Sequence, residues 1–176
     1  AVLSDPSANL THQIVNDRIT HVSLVPTQLR RLLDDPHQCA VSSTLKAILL
    51  GGSPISAALL SEAVSNQLPV YLTYGLTEMA SQVATGSSDH PRSPRVLPYR
   101  ELQIAVDGEI VVRGETLFKG YVENDTIVCP LDTDGWFHTG DLGSLDNDGR
   151  LTVLGRKDNM FVSGGENIQP EQIERT

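Results

Sequence analysis

Sulfur is scarce in this chain: Cys39 and Cys129 are its only cysteines. Two thiols so far apart exclude a disulfide framework and a cysteine-built zinc site, and a reduced, cytoplasmic setting is the expectation. Positive charge is also in short supply, with 13 Lys and Arg against 22 Asp and Glu and a formal net charge of -9. Clustered Lys and Arg drive nucleic-acid binding through counterion release, and the nearest approach here is Arg92, Arg95 and Arg100, sparse and set among prolines. No nucleic-acid partner is expected. Long apolar runs are missing too, and the opening Ala1-Val2-Leu3 is soon broken by Ser4, Asp5 and Pro6. Neither membrane insertion nor a signal peptide is expected. The five histidines show no metal-ligand spacing. What remains is an ordinary globular composition, 39% hydrophobic and 20% charged, in 176 residues, enough for one domain or one and a half.

Residues 1–85 alternate helix and strand patterns. Leu10, Ile14 and Val15 recur at helical spacing within Ser7–Arg18, and Val22–Val25 is a short apolar run stopped by Pro26. Leu29, Leu32 and Leu33 then mark the apolar face of a helix opened by Pro26 and closed by Asp34, Asp35 and Pro36. Ala47–Leu50 reads as a buried strand running into Gly51-Gly52-Ser53-Pro54, followed by a helix over Ser56–Asn66 and a strand over Val70–Thr73. Short apolar strands between helices predict an α/β fold with a mostly parallel sheet covered on both faces. Beyond the Ser, Pro and Arg rich stretch Gly86–Pro98, residues 86–157 read as mainly antiparallel β. There Asp107-Gly108 predicts a two-residue hairpin turn with both central residues at positive φ, and Asp146–Gly149 predicts a second hairpin. A small antiparallel sheet or barrel is the expected result.

Three blocks carry chemistry: YGLTEM (Tyr74–Met79), WFHTGD (Trp136–Asp141) and GRKDNMFVSGGENI (Gly155–Ile168). Each places charged or hydroxyl residues beside glycine. The first is read as a Gly75 turn leaving the strand at its carboxyl end, where open α/β sheets bind ligands. Thr77 offers a hydroxyl to a phosphate oxygen, Glu78 a hard carboxylate suited to Mg²⁺ on ATP phosphates, and Tyr74 a ring face for adenine. The same residues also suit a core tyrosine and a capped helix start. Trp136, Phe137 and His138 read as packing and turn residues.

In their order and spacing the three blocks resemble the adenylate-forming enzymes, which include acyl-CoA synthetases, peptide-synthetase adenylation domains and luciferases. The resemblance implies ATP-dependent activation of a carboxylic acid as acyl-AMP, followed by transfer to a thiol, with ATP, Mg²⁺ and CoA as cofactor and co-substrates. It implies catalytic roles for Thr77 and Glu78, with Glu78 on the metal. It implies nucleotide contacts from Gly51, Gly52, Ser53, Tyr74, Gly75 and Thr77, and ribose contacts from Asp141 and Arg156. Asp158 matches the hinge between a large and a small domain, and Gly165 the glycine lining the tunnel for the pantetheine arm of CoA. On this reading residues 158–176 hold the hinge and the start of a truncated C-terminal domain. The family's phosphate loop and its C-terminal catalytic lysine are not in this sequence, so an internal segment of a longer enzyme, a poor catalyst by itself, is expected.

Within the superfamily, THVSLVPTQLRRLL (Thr20–Leu33), KAILLGG (Lys46–Gly52), YGLTEMAS (Tyr74–Ser81) and GRKDNMFVSGGENIQPEQIER (Gly155–Arg175) are most similar to the o-succinylbenzoate-CoA ligases of menaquinone biosynthesis. That match implies that the strand Val22–Val25 borders the acid pocket, with Ser23, Thr27 and Gln82 able to bond the aromatic carboxylate. A buried serine bonded to backbone is the alternative for Ser23. Other aryl- or acyl-CoA ligases and carrier-protein adenylation domains stay open, as does self-association into a homo-oligomer.

Overall fold

The computed structural model describes residues 9–159 together with the backbone of 161–163 and 166–168. The chain divides into two compact units between Leu72 and Thr73.

The first unit is built as the apolar spacing requires. Helix α1 (Leu10–Asn16) starts where the Asn9 side chain accepts the His12 N–H at 3.1 Å. Strand β1 (His21–Leu24) leads into α2 (Pro26–Leu33), where Pro26 at the first helical position has no N–H to leave unsatisfied. There the Val25 N–H donates to the Gln28 side chain at 3.0 Å. A four-residue helix, α3 (Cys39–Ser42), was not expected; one turn is too short to show a periodicity. Strand β2 (Ala47–Leu50) and helix α4 (Ala57–Ser65) follow, the latter capped by the Ser56 hydroxyl, which accepts the Leu59 N–H at 3.2 Å. Strand β3 (Val70–Leu76) runs across the unit boundary. Its first residues pair parallel with β2, which pairs parallel with β1.

Among the described residues the strands are covered on one face, where cover on both was expected. Leu24, Ile48, Leu50 and Val70 are buried in one cluster with Ile14, Leu29, Leu32 and Ala63 from the helices, whereas His21 and Ser23 are exposed and Leu49 half-buried. The described helices gather their apolar stripes on a single sheet face, so alternate strand residues look away from that core.

In the second unit the remainder of β3 pairs antiparallel with β4 (Ser81–Thr85), and β4 with β5 (Arg95–Val96), so the strand pairing is mixed. Strands β6 (Arg100–Ile104) and β7 (Glu109–Gly114) form a hairpin. A second, exposed hairpin joins β8 (Tyr121–Glu123) to β9 (Thr126–Val128). Strands β10 (Phe137–Leu145) and β11 (Leu151–Arg156) complete an antiparallel sheet of order β11-β10-β7-β6. Beyond it, β12 (Phe161–Ser163) pairs with β13 (Glu166–Ile168). Met79, Val83, Ile110, Val112 and Phe137 are among the buried core of this unit.

Two turn readings are corrected. At the β6–β7 turn only Gly108 has positive φ, at 85°, and the loop spans four residues, with the Gly108 N–H donating to the Ala105 carbonyl at 2.9 Å. Asp107 escapes the left-handed region because its carboxylate instead accepts the Glu109 N–H at 3.2 Å, a local side-chain turn. Gly75 does not leave the strand: it lies within β3, and the chain reverses only at the 3-10 turn Thr77–Met79. Glycine is needed there for close approach, because a Cβ would lie 2.1 Å from the Ser81 carbonyl oxygen. The reversal places Ala80 and Ser81 at φ 59° and 140°. Both are costly for non-glycine residues, and such strain gathers where a site must be shaped. No helix among the described residues is long and apolar enough to cross a membrane.

Candidate active site

The second unit holds a cleft of about 550 Å³ whose lining includes Glu78, Tyr121, Asp141, Arg156 and Asp158. Its wall is a deliberate irregularity in β10. Pairing with β7 runs His138 opposite Val111 and then skips to Leu142 opposite Glu109, so Thr139, Gly140 and Asp141 bulge from the ladder. Gly140 sits at φ 72°, and a Cβ there would come within 2.8 Å of the Arg156 guanidinium. The buried Thr139 hydroxyl pins the bulge, donating to the Ile110 carbonyl at 2.7 Å and accepting the Asp141 N–H at 3.0 Å.

Asp141 is thereby aimed into the cleft with each oxygen oriented. The Tyr74 hydroxyl donates to Oδ2 at 2.8 Å, and Arg156 Nη1 donates to Oδ1 at 3.1 Å. The β10–β11 register places Asp141 directly opposite Arg156. The guanidinium also donates to the Thr139 carbonyl at 2.9 Å and to Asp158 at 3.2 Å. Burial and then the Asp141 charge push the Tyr74 phenol up, so it stays a donor. Burial works against the Arg156 charge, but Asp141 and Asp158 outweigh it. Each carboxylate oxygen of Asp141 keeps lone-pair capacity for a further donor, the requirement for gripping a diol.

Tyr74, read as offering a ring face, is only 8% exposed and packed in the core. What it presents is its hydroxyl to Asp141. Glu78 is half-buried on the 3-10 turn, and its Oε1 accepts the Tyr121 hydroxyl at 2.7 Å. Its carbonyl accepts the Phe118 N–H at 2.7 Å, so both the hairpin beginning at Tyr121 and the segment leading into it are tied to this turn. Among the described residues no group of three or more His, Cys, Asp or Glu could hold a metal. A single hard carboxylate in a cleft fits Mg²⁺, which keeps waters and takes its other ligands from phosphates.

Of the residues singled out in the sequence, Glu78, Asp141, Arg156 and Asp158 line one cleft. Thr77 is exposed at the start of the turn and is not among the described lining residues. Gln82 is half-buried in β4 and accepts the Thr85 hydroxyl at 3.0 Å. The first unit carries Gly51, Gly52, Ser53, Ser23 and Thr27. Gly52 has φ 84°, and a Cβ there would touch Val25 at 3.4 Å. Ser23 is exposed on β1 and paired with Leu49. Thr27 is exposed in the first turn of α2, and Ser53 is exposed. Gly165, with Gly164, lies outside the described residues, as do residues 169–176 of the expected truncated domain.

Sequence reasoning missed Glu109, His138, Lys157 and Tyr121, all of which line the same cleft. Glu109, 5% exposed, accepts the Gly140 N–H at 2.8 Å and the Lys157 ammonium at 3.0 Å, and bonds His138 Nδ1 at 3.1 Å. Burial pushes its carboxyl up, but Lys157, His138 and the Gly140 amide together hold it below the usual value. One signal was present: an acid heading the apolar run Ile110-Val111-Val112 must be paired once that strand is buried.

Residues 1–122 match the AMP-binding enzyme family. The chain is 46% identical over 159 residues to the 2-succinylbenzoate–CoA ligase of Salmonella typhimurium, covering 89% of this chain and 33% of that protein. Among solved structures it resembles O-succinylbenzoate Coenzyme A Synthetase from Bacillus subtilis in complex with ATP and magnesium ion, with 35% identity, a TM-score of 0.75, and coverage of 93% of this chain and 37% of that one. The same enzyme in complex with the acyl-adenylate intermediate OSB-AMP superposes with a TM-score of 0.78 at 35% identity, covering 93% of this chain and 36% of that one. The chain thus spans about a third of the length of the curated relatives it matches.

Proposed function

Because the chain belongs to the AMP-binding enzyme family, we propose that it is part of an ATP-dependent acid–thiol ligase of menaquinone biosynthesis. The enzyme activates 2-succinylbenzoate as its acyl-adenylate, releases pyrophosphate, and passes the acyl group to CoA. The observation that carries this reading is the Asp141–Arg156 pair on the cleft wall, oriented from the core by the Tyr74 hydroxyl, with Glu78 in the same lining. Support for the particular acid comes from relatives named as 2-succinylbenzoate–CoA ligases and from one solved with OSB-AMP.

On this reading Asp141 accepts both ribose hydroxyls, held in orientation by Tyr74 and Arg156, and Arg156 adds its own contact to the ribose. Glu78 would hold Mg²⁺, which neutralises charge on the ATP phosphates when bound. Tyr121 orients that carboxylate from the hairpin. Thr77 reaches a phosphate oxygen, and Gly75 lets the β3 and β4 backbones close under it. Gly51, Gly52 and Ser53 form the edge against which adenine rests. Ser23, Thr27 and Gln82 bind the acid. Asp158 is the hinge about which a small domain turns between the two half-reactions, and Gly165 gives passage to pantetheine. Residues 1–85, 86–157 and 158–176 are then the α/β subdomain, the antiparallel subdomain, and the hinge with the beginning of the small domain. A cytoplasmic location without membrane insertion and assembly as a homo-oligomer complete the proposal.

The test is the full-length enzyme offered a panel of carboxylic acids with ATP, Mg²⁺ and CoA, scoring AMP, pyrophosphate and thioester. Activation of 2-succinylbenzoate above the others is expected. Formation of ADP, or turnover without a divalent metal, would sink the ligase reading. Preference for another aryl acid would remove only the menaquinone assignment.

A further inference from the structure

We infer that Glu109 is a positioning residue for the nucleotide, a cross-brace that holds both strands bearing the ribose-binding pair; this rests on the function proposed above. The observation is where its partners lie. Oε1 accepts the Gly140 N–H at 2.8 Å, one residue before Asp141. Oε2 takes the Lys157 ammonium at 3.0 Å, one residue after Arg156, and bonds His138 Nδ1 at 3.1 Å, at the start of the β10 bulge. One carboxylate on β7 therefore fastens the bulge that presents Asp141 and the end of the strand that presents Arg156, with its own hydrogen bonds made to their neighbours in sequence.

The geometry answers a physical need. Asp141 and Arg156 are paired directly in the β10–β11 ladder, but on its other side β10 bulges from β7 over Thr139–Asp141 and lacks there the ladder hydrogen bonds that normally hold neighbouring strands together. Without a substitute this end of β10, with the 3.1 Å pair it carries, would be free to drift against β7, and ligand groups must be held within about 0.5 Å to act. The Thr139 hydroxyl supplies one such tie, to the Ile110 carbonyl, and Glu109 supplies the charged one from a buried position where charge-assisted bonds are strong. Lys157 is further fixed by Asp107 at 2.7 Å, and His138 by Asp132 at 3.4 Å, so the brace is anchored at both outer ends. An acid serving stability alone would have no reason to place all its partners on the two arms of the site.

The test uses full-length enzyme carrying Glu109→Gln, Lys157→Met, or both. Readouts are the Kd for AMP by calorimetry, the KM for ATP, CoA and acid, and the melting temperature. Gln keeps the shape and an acceptor for the Gly140 N–H but cannot neutralise Lys157 and His138. The Kd for AMP and the KM for ATP should rise roughly tenfold, less than the ~hundred-fold that a 1 Å misplacement can cost. The KM for CoA and for the acid should stay within about twofold, the split a specific positioning role requires. Lys157→Met should weaken AMP less, and the double variant should lose less than the product of the two singles, because Met removes the ammonium stranded by Gln. A Gln variant with native AMP affinity and only a lower melting temperature overturns the inference. So does an equal rise in every KM. Should Glu109→Gln fail to fold, Lys157→Met decides, since unchanged AMP affinity there refutes the brace. Failure of the wild type to bind AMP would instead defeat the functional reading itself.

Discussion

The two units solve different problems with different means. The first, through Leu72, buries helix stripes against three parallel-paired strands, and its ion pairs, such as Arg30 with Asp34 and Glu62, sit half-exposed at the surface. The second buries the charged Glu109 and the hydroxyl of Thr139, and ties residues far apart in sequence through side chains: Tyr74 to Asp141, Glu78 to Tyr121, Asp107 to Lys157. Apolar packing is non-directional and suits a scaffold. Charge-assisted hydrogen bonds are directional and suit a site that must hold particular atoms in place. The comparison teaches that damage to the first unit should register as stability, and damage to the second as nucleotide affinity and turnover.

The largest effect is expected of Gly75→Val in the full-length enzyme, which strikes the backbone packing of the second unit rather than its hydrogen-bonded side chains and so should register as stability. Its Cβ would collide with backbone at Ser81, which cannot yield as a side chain could, so a loss of more than ~3 kcal/mol and little recoverable folded protein are expected. A well-folded, active valine variant would refute the close β3–β4 approach. Next come two substitutions that should part company. Ile48→Ala, at a fully buried position of β2, should cost ~2–5 kcal/mol of stability while leaving the KM for ATP in place. Glu78→Gln should leave the melting temperature nearly unmoved but slow turnover by about two orders of magnitude, as loss of a charge-stabilising group does. If both variants changed stability and catalysis together, the contrast between the units would collapse.

Ser23→Ala sharpens the comparison from the other side, because it asks whether the scaffold unit also binds the acid. Losing a hydrogen bond to a charged group costs about 1.5–3 kcal/mol, so the KM for 2-succinylbenzoate should rise roughly ten- to a hundred-fold with that for ATP unchanged. Loss of stability with an unaltered KM for the acid would return Ser23 to the scaffold.

The smallest effect concerns pH. The Glu109 carboxylate, followed by Asp132, holds the His138 imidazole above its ordinary value of 6.5 against a lesser opposing effect of burial. The His138 contribution to stability is therefore fully present below 6.5 and is lost as pH rises through the raised folded value. Glu109, with its carboxyl held low, contributes above the ordinary carboxylate value and loses that contribution on acidification. Melting curves of wild type and His138→Gln should thus differ most near pH 6 and converge toward alkaline pH. A gap that widened with pH would contradict the pairing.

Much of this was legible in residue order. The Leu29, Leu32 and Leu33 spacing, Pro26 at a helix start, the helix opening at Ser56 and the β6–β7 and β10–β11 hairpins all follow from local rules, since their hydrogen bonds close within a few residues. Asp141, Arg156 and Glu78 were singled out because the blocks around them are short and distinctive, and the structure lines one cleft with them. What residue order did not disclose was which face of each strand would be covered, that Gly75 lies inside a strand, and that Tyr74 turns its hydroxyl rather than its ring to the site. Nor did it disclose the brace. The sequence by itself determined the elements and the chemical groups available, because backbone pairing and apolar periodicity are local properties of the chain. Only the tertiary structure decided that the bulge at Thr139–Asp141, the head of β7 and the end of β11 converge on Glu109. Those partners lie tens of residues apart, and no local pattern encodes a contact that exists only once the strands between them have paired.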